Sequence, residues 1–226
     1  MRILKFGGSS VGTPERLRAA AAIIQRAQAE RGPVAVVVSA FQGVTDQLLA
    51  LAERASHGDD YQPRFTELEQ RHLSAVKELL PVQRRSPVLT QVKLRLNELA
   101  DLLHGVSLIG ELSPRTRDVI SAFGERLSAS ILAAHLAADG YPAEYLDTRP
   151  LIRTDAYFGA ARVLTDETYL AIRAHFAAHP TLQIVTGFIA ATARGAAGPA
   201  LPVSMSSDSW AGVTNKVALP PSTSMT

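Results

Sequence analysis

The first segment that could do chemistry places a lysine before two glycines and two serines, in the order Lys5-Phe6-Gly7-Gly8-Ser9-Ser10. Glycines let the backbone come close to an anion, and hydroxyl groups add hydrogen-bond donors. The lysine could supply a positive charge to a phosphate oxygen. The spacing fits neither the Walker A pattern nor the Gly-x-Gly-x-x-Gly pattern of dinucleotide sites. This segment predicts phosphate binding, and an ordinary strand-to-helix turn with an exposed lysine is the alternative.

A second polar segment covers residues 39–46 and reads Ser-Ala-Phe-Gln-Gly-Val-Thr-Asp. It lies between a run of valines and a helical pattern, so Ser39 and Thr45 could donate hydrogen bonds to an anion. Thr45 could equally be no more than the N-cap of the helix that follows. The residues alone leave both interpretations open.

Two further segments combine charged or polar residues with a glycine. In Phe123-Gly124-Glu125-Arg126 the glycine gives a ligand room to reach Glu125, although a surface ion pair is the commoner role of such a glutamate. The segment Arg153-Thr154-Asp155, with Phe158-Gly159 after it, is a polar loop that indicates little by itself. The six histidines have no metal-ligand spacing with carboxylates, so no metal site is predicted.

Strands and helices alternate along the chain, and the polar segments adjoin their ends. Apolar runs predict four strands, at residues 3–6, 34–40, 143–146 and 182–189. Helical periods predict helices at residues 14–30, 45–55, 65–80, 88–104, 114–139 and 166–179, with Thr13 and Thr165 as N-caps of the first and the last. In open sheets of this kind, ligands bind beyond the carboxyl ends of the strands.

The two long amphipathic segments at residues 65–80 and 88–104 are separated by a bend marked by Pro81 and Pro87. They predict an αα-hairpin at about residues 63–104, inserted into an α/β domain. Its charged residues, Arg71 among them, are expected to form a solvated face. The predicted fold class is α/β, a three-layer α/β/α sandwich around a mainly parallel sheet over residues 1–192.

Composition excludes several classes of protein. The 226 residues carry 23 Lys and Arg against 21 Asp and Glu, and this near balance gives no support to nucleic-acid binding. The absence of cysteine excludes disulfides and thiolate sites. No apolar run approaches the length that crosses a membrane, and the first residues lack the apolar core of a signal peptide. We therefore expect a cytoplasmic protein with no membrane partner.

Residues 193–226 differ in amino-acid composition from the rest of the chain. They are rich in Ser, Ala and Pro, and their only charged residues are Arg194, Asp208 and Lys216. No helical or strand period is visible, and such a segment buries too little apolar surface to offset its ordering entropy. We expect it to be mostly disordered.

Taken together, the segments at residues 5–11, 38–46 and 123–128 resemble the aspartokinase branch of the amino acid kinase family. The resemblance continues through residues 153–159 and through Val185-Thr186-Gly187-Phe188-Ile189, in the same order along the chain. It covers about residues 1–192, which would form the N-terminal part of an amino acid kinase domain. The fold it implies is the amino acid kinase fold, here incomplete.

This resemblance implies a reaction and a set of roles. The family transfers the γ-phosphoryl group of Mg-ATP to the side-chain carboxylate of L-aspartate, the first step towards lysine, threonine and methionine. Lys5 would be catalytic and sit on the transferring phosphate, which Gly7, Gly8 and Ser9 would cradle. Thr45 and Glu125 would hold the amino acid, with Glu125 on its ammonium group, and Ser39 would line the same pocket. Members of the family are usually homo-oligomers.

The sequence departs from the family after Ile189. The family continues with a hairpin, then with Leu-Gly-Arg-Gly-Gly-Ser-Asp, then with the strand and loop that hold the nucleotide, and none of these is recognisable here. We therefore expect a truncated chain, with a reading-frame shift near residue 193, and no kinase activity from it. Two alternatives remain: another kinase of this family, acting on acetylglutamate or glutamate, and a non-catalytic remnant that binds an anion or a partner subunit.

Overall fold

The computed structural model describes residues 1–192 and the backbone of residues 202–204. Within this part of the chain, the strands are β1 (Arg2–Phe6), β2 (Val34–Val38), β3 (Ala143–Leu146), β4 (Arg153–Thr154), β5 (Leu182–Thr186), β6 (Ile189–Thr192) and β7 (Pro202–Ser204). The helices are α1 (Gly8–Val11), α2 (Pro14–Arg31), α3 (Val44–Ser56), α4 (Gln62–Leu79), α5 (Val82–Ile109), α6 (Pro114–Ser121), α7 (Phe123–Ala138) and α8 (Thr165–Ala178). The rest of the expected disordered tail, 193–201 and 205–226, lies outside the described residues.

A parallel sheet in the order β1-β2-β5-β3 forms the centre of the fold. Phe6 pairs with Val38, and Val38 pairs with Thr186, so three strands end at the same level. Because all four strands are parallel, their carboxyl ends share one edge of the sheet. The loops that follow them are therefore neighbours in space, as the alternating pattern predicted.

Helices cover both faces of this sheet. On one face, Val36 of β2 and Ile184 of β5 pack in an apolar core shared with α2 and α7. On the other face, Val37 and Val185 pack with Ile172 of α8. Strands covered on both faces read as continuous apolar runs, which is why the valines of β2 predicted a buried strand. The structure confirms the three-layer α/β/α arrangement.

The single strand predicted at residues 182–189 is wrong. The structure divides it into β5 and β6, which belong to different sheets, with Gly187 and Phe188 between them. Phe188 has a φ of 56°, which no strand residue adopts, and this angle turns the chain out of the central sheet. Both halves are buried and mainly apolar, so the pattern of hydrophobic residues could not reveal the break.

A second, smaller sheet has the order β4-β6-β7. Strand β7 runs antiparallel to β6, with Ile189 opposite Ser204. Local sequence indicated neither a strand nor the family's hairpin after Ile189, and at residues 202–204 this expectation is wrong. Backbone pairing with β6 selects the strand there, and such pairing depends little on local sequence pattern.

The predicted helical hairpin is present as α4 and α5, with different bounds. The bend consists of Leu80 and Pro81 alone, and Pro87 lies inside α5. Pro87 is the sixth residue of α5 and removes one backbone donor there, and the helix nevertheless continues through it. None of the helices in the described residues is both long and apolar enough to cross a lipid bilayer.

The helix predicted at residues 114–139 is two helices, α6 and α7, which meet at Ala122. Glu125 therefore lies in the first turn of α7 and not in the middle of a long helix. Thr13 is the N-cap of α2, as predicted, and its side chain accepts a hydrogen bond from the amide of Arg16 at 3.4 Å. Thr165 is not a cap, because it is the first residue of α8 and Leu164 precedes it as N-cap.

Candidate functional site

The candidate site lies at the carboxyl end of β2, where the segments that follow β1, β2 and β5 come together. We call residues 7–12, which follow β1 and include the short helix α1, loop 1, and we call residues 39–43, after β2, loop 2. The amide of Ser39 in loop 2 donates to the carbonyl of Phe6 at 3.0 Å, and the amide of Gly187 donates to the carbonyl of Val38 at 2.9 Å. Backbone hydrogen bonds thus tie together the ends of β1, β2 and β5.

Glycines allow these segments to pack closely. A Cβ atom on Gly8 would lie 2.9 Å from the carbonyl oxygen of Ala40, and one on Gly124 would lie 2.6 Å from the Cβ of Ala40. A Cβ on Gly187 would lie 2.9 Å from the carbonyl oxygen of Val38. Gly7 differs, since its added Cβ would meet nothing within 4 Å. The fold therefore requires glycine at position 8 for contact between loops 1 and 2, whereas the space beside Gly7 stays open.

Lys5 is exposed on β1, and its Nζ lies 4.6 Å from the ring centroid of Phe188. An ammonium at this distance is attracted by the electrons of the ring. The turn that carries Phe188 is held by Thr148, whose amide donates to Thr186 Oγ1 at 3.0 Å and whose hydroxyl donates to the carbonyl of Ile189 at 2.6 Å. The sequence analysis assigned no contact role to Phe188, because local sequence does not signal a positive φ at phenylalanine.

Glu125 is 7% exposed, and its Oε1 accepts a hydrogen bond from the amide of Ala40 at 3.3 Å. Burial raises the pKa of this carboxyl to about 7, against the opposing effect of the Ala40 hydrogen bond. Nearby, the hydroxyl of Ser128 donates to the carbonyl of Ser39 at 2.8 Å, so α7 holds loop 2 at two points. The surface ion pair considered for Glu125 is wrong.

The two remaining substrate candidates flank this contact. Ser39 is half-buried at the start of loop 2, and Thr45 is exposed as the second residue of α3. The N-cap of α3 is Gly43, so the capping role considered for Thr45 is wrong. The Cγ1 of Val44 would lie 3.5 Å from a Cβ on Gly124, and the first turns of α3 and α7 are therefore in contact. Thr45 and Glu125 are each the next residue along the chain from this contact.

The fourth polar segment has a structural role. Asp155 Oδ1 accepts hydrogen bonds from the amides of Tyr157 and Arg162 at 3.2 and 3.1 Å, which closes the loop on itself. The amide of Gly159 donates to the buried Asp118 Oδ2 at 2.8 Å. Among the described side chains, no group of three or more His, Asp or Glu could hold a metal ion.

Arg71 is a contact residue that local sequence did not indicate. Instead of joining a solvated face, its guanidinium Nη2 donates to the carbonyls of Gly12 in loop 1 and Gln42 in loop 2, at 3.1 and 3.0 Å. The helical period of α4 shows only that Arg71 lies off the main apolar stripe, and the acceptors belong to segments 59 and 29 residues away.

The family model described as "Amino acid kinase family" matches residues 1–212 of this chain. Aspartokinase 1, chloroplastic, of Arabidopsis thaliana is 36% identical over 197 residues, which cover 83% of this chain and 33% of that protein. The bifunctional aspartokinase/homoserine dehydrogenase 2 of Zea mays is 31% identical over 193 residues, which cover 84% of this chain and 21% of that protein. The chain thus spans about a fifth to a third of the length of these relatives.

Solved structures show the same fold. Escherichia coli aspartokinase III in complex with lysine and aspartate (T-state) has a TM-score of 0.80 at 20% identity, covering 93% of this chain and 44% of that one. The same enzyme in complex with aspartate and ADP (R-state) has a TM-score of 0.76 at 21% identity, covering 92% of this chain and 44% of that one.

Proposed function

This chain belongs to the amino acid kinase family, and we propose that it carries the amino-acid-binding and phosphate-binding part of an aspartate kinase. Such an enzyme transfers the γ-phosphoryl group of ATP to the side-chain carboxylate of L-aspartate. One observation carries the proposal: a buried carboxylate, Glu125, is held on the amide of Ala40 in loop 2, beside the loop that follows Lys5. The likeness to aspartokinases at 31–36% identity supports the same reaction class.

Phosphoryl transfer asks little covalent chemistry of a protein, because positioning and charge neutralisation supply most of the catalysis. We assign neutralisation to the ammonium of Lys5, which the Phe188 ring contacts at 4.6 Å at the carboxyl edge of the sheet. Gly7, Gly8 and Ser9 would approach the phosphate oxygens with backbone and hydroxyl donors. Mg²⁺ would enter with ATP as part of the co-substrate.

Glu125 would recognise the amino acid through its ammonium group. A buried carboxylate is costly when it is ionised and alone, and an ammonium placed beside it relieves that cost. Binding of the amino acid would therefore favour the ionised form of a carboxyl whose pKa is otherwise raised to about 7. Ser39 and Thr45 would line the same pocket, from loop 2 and from the first turn of α3.

Binding of substrate does not require that these 226 residues alone catalyse the reaction. Their sequence holds no Leu-Gly-Arg-Gly-Gly-Ser-Asp segment, which in the resemblance supplies an arginine for the substrate carboxylate and an aspartate for the catalytic centre. We propose that this chain binds L-aspartate and a phosphate group and releases no ADP. A non-catalytic remnant with an anion site remains the second candidate, and the same missing segment favours it.

Calorimetric titration of the 226-residue chain separates these possibilities. We expect L-aspartate to bind, and Glu125→Gln to weaken its binding about ten-fold or more, because the substitution leaves the ammonium unpaired. We expect Lys5→Ala to weaken binding of inorganic phosphate, whose charge the Lys5 ammonium would neutralise, and to leave aspartate binding in place. N-acetylglutamate has no free ammonium, so tighter binding of that compound than of aspartate would contradict the assignment. Steady ADP release that depends on aspartate would contradict the proposed inactivity.

A further inference from the structure

We propose that Arg71 is a positioning residue that fixes loop 1 against loop 2. It thereby sets the spacing between the phosphate subsite, formed by Gly7, Gly8 and Ser9, and the amino acid subsite around Glu125. The inference rests on the proposed function for the meaning of the two subsites. We call the contacts of Arg71 with the two loops the clamp, and all of them lie within the described residues.

The contacts come from a single nitrogen atom. Arg71 Nη2 donates to the carbonyl oxygens of both Gly12 and Gln42, at 3.1 and 3.0 Å. The two oxygens are therefore held close to each other, and neither loop can shift without losing a hydrogen bond to a charged donor. Hydrogen bonds of this kind are stronger than those between neutral groups.

The residue beside Arg71 holds the same loop by a different contact. The ring of His72 stacks on Phe41 in loop 2, with centroids 4.9 Å apart and planes 6° from parallel. Phe41 is 2% exposed, and the guanidinium of Arg71 lies 5.9 Å from its ring centroid. Two consecutive residues of α4 thus hold loop 2. Arg71 binds the backbone of the loop, and His72 stacks on Phe41, the only aromatic side chain in the loop.

Loop 2 contacts both subsites, so a restraint on loop 2 also restrains them. Its Ala40 donates to Glu125 through the amide, and the carbonyl oxygen of the same residue packs against Gly8 of loop 1. A displacement of loop 2 would therefore disturb the Glu125 contact and the position of loop 1 together. A helix of the inserted hairpin thus contacts the carboxyl edge of the sheet through Arg71.

The direct test compares Arg71→Ala with Arg64→Ala. Arg64 is an exposed arginine two turns earlier on α4, so both variants remove one charge from the same helix. In Arg71→Ala we expect the amide of Ala40 to exchange with solvent about ten-fold faster, and that of Val36 in β2 to keep its rate. We also expect the Glu125 carboxyl to titrate at lower pH than in the unsubstituted chain, because a released loop 2 admits water. Arg71→Lys keeps a donor and should restore part of the protection at Ala40.

Two results would overturn the clamp. In the first, Arg71→Ala behaves as Arg64→Ala does. In the second, exchange quickens by the same factor at Ala40 and Val36, as a general loss of stability would produce. Failure of the proposed function is seen separately: if the unsubstituted chain binds no aspartate while Arg71→Ala still exposes Ala40 alone, the clamp stands and the ligand assignment falls.

Discussion

The carboxylate of Glu125 accepts a hydrogen bond from the amide of Ala40 at 3.3 Å, although the two residues are 85 positions apart in the chain. This contact joins the first turn of α7 to the loop that follows the central strand β2. It also keeps a carboxyl group in the interior, where burial raises its pKa to about 7. The pair therefore bears on stability and its pH response, and under the proposed function also on recognition of the amino acid.

Glu125→Gln should change how stability varies with pH. The folded chain holds the Glu125 proton up to about pH 7, whereas the unfolded chain releases it near 4.5. Its contribution to stability is therefore complete below pH 4.5 and is lost as pH rises through 7, a change of about 3 kcal/mol at most. Urea unfolding from pH 4.5 to 7.5 measures it. An unchanged pH profile in the glutamine variant would contradict the burial of an ionisable group here.

His72 should act in the opposite direction over nearly the same range. Burial lowers its pKa to about 4, so stability is lost as pH falls from 6.5 towards 4. In the unsubstituted chain the slopes from His72 and Glu125 oppose each other. We expect His72→Phe, which keeps a ring against Phe41, to make the slope of stability against pH between 4.5 and 6.5 more negative than in the unsubstituted chain. We expect Glu125→Gln to make that slope more positive, and equal slopes in the two variants would refute the assignment.

Gly124→Ala tests how closely α7 approaches loop 2. The added Cβ would lie 2.6 Å from the Cβ of Ala40, so the backbone must shift at a cost of roughly 1–3 kcal/mol. Gly105→Ala is the matched control, because Gly105 lies in α5 with nothing within 4 Å of an added Cβ. The control should gain up to about 1 kcal/mol from helix propensity. Unfolding in urea reports both, and equal effects would contradict the close approach.

Phe188→Leu tests the contact with Lys5. A proton above an aromatic ring is shielded, so the ε-methylene protons of Lys5 should resonate upfield in the unsubstituted chain. Leucine removes the ring and should return the signal to its usual position, whereas Phe188→Tyr keeps the ring and the shift. Proton NMR of Lys5 gives the readout. If the leucine variant leaves the Lys5 signal in place, the ring does not contact the ammonium.

Local sequence was enough to predict the main elements of the fold. The apolar run before Gly7 indicated a buried strand, and the strand is present as β1, but it lies at the edge of the sheet and only its last residue, Phe6, is buried. The prolines near residue 81 indicated a helical hairpin. Thr13 was predicted as the cap of α2 because its neighbours Pro14 and Glu15 are typical of a helix start. Each of these signals depends on residues within a few positions of one another.

Contacts between distant segments could not be predicted in this way. The burial of Glu125 depends on Ala40, and the position of Arg71 depends on carbonyls of two loops from other parts of the chain. The break at Ala122 and the positive φ of Phe188 also lack a local signal, because neither position carries glycine or proline. The resemblance to aspartokinases singled out Glu125 as a candidate site residue but gave no account of how it is held.

The most direct test of the central claim is the titration of the Glu125 carboxyl by carbon-13 NMR, with L-aspartate and with succinate. Succinate carries the two carboxylates of aspartate without its ammonium group. We predict that saturating L-aspartate lowers the pKa of Glu125 well below its starting value of about 7, because the bound ammonium stabilises the ionised form, and that succinate leaves it unchanged. A pKa that stays near 7 with aspartate, or that falls equally with succinate, would contradict the assignment of Glu125 to the amino acid.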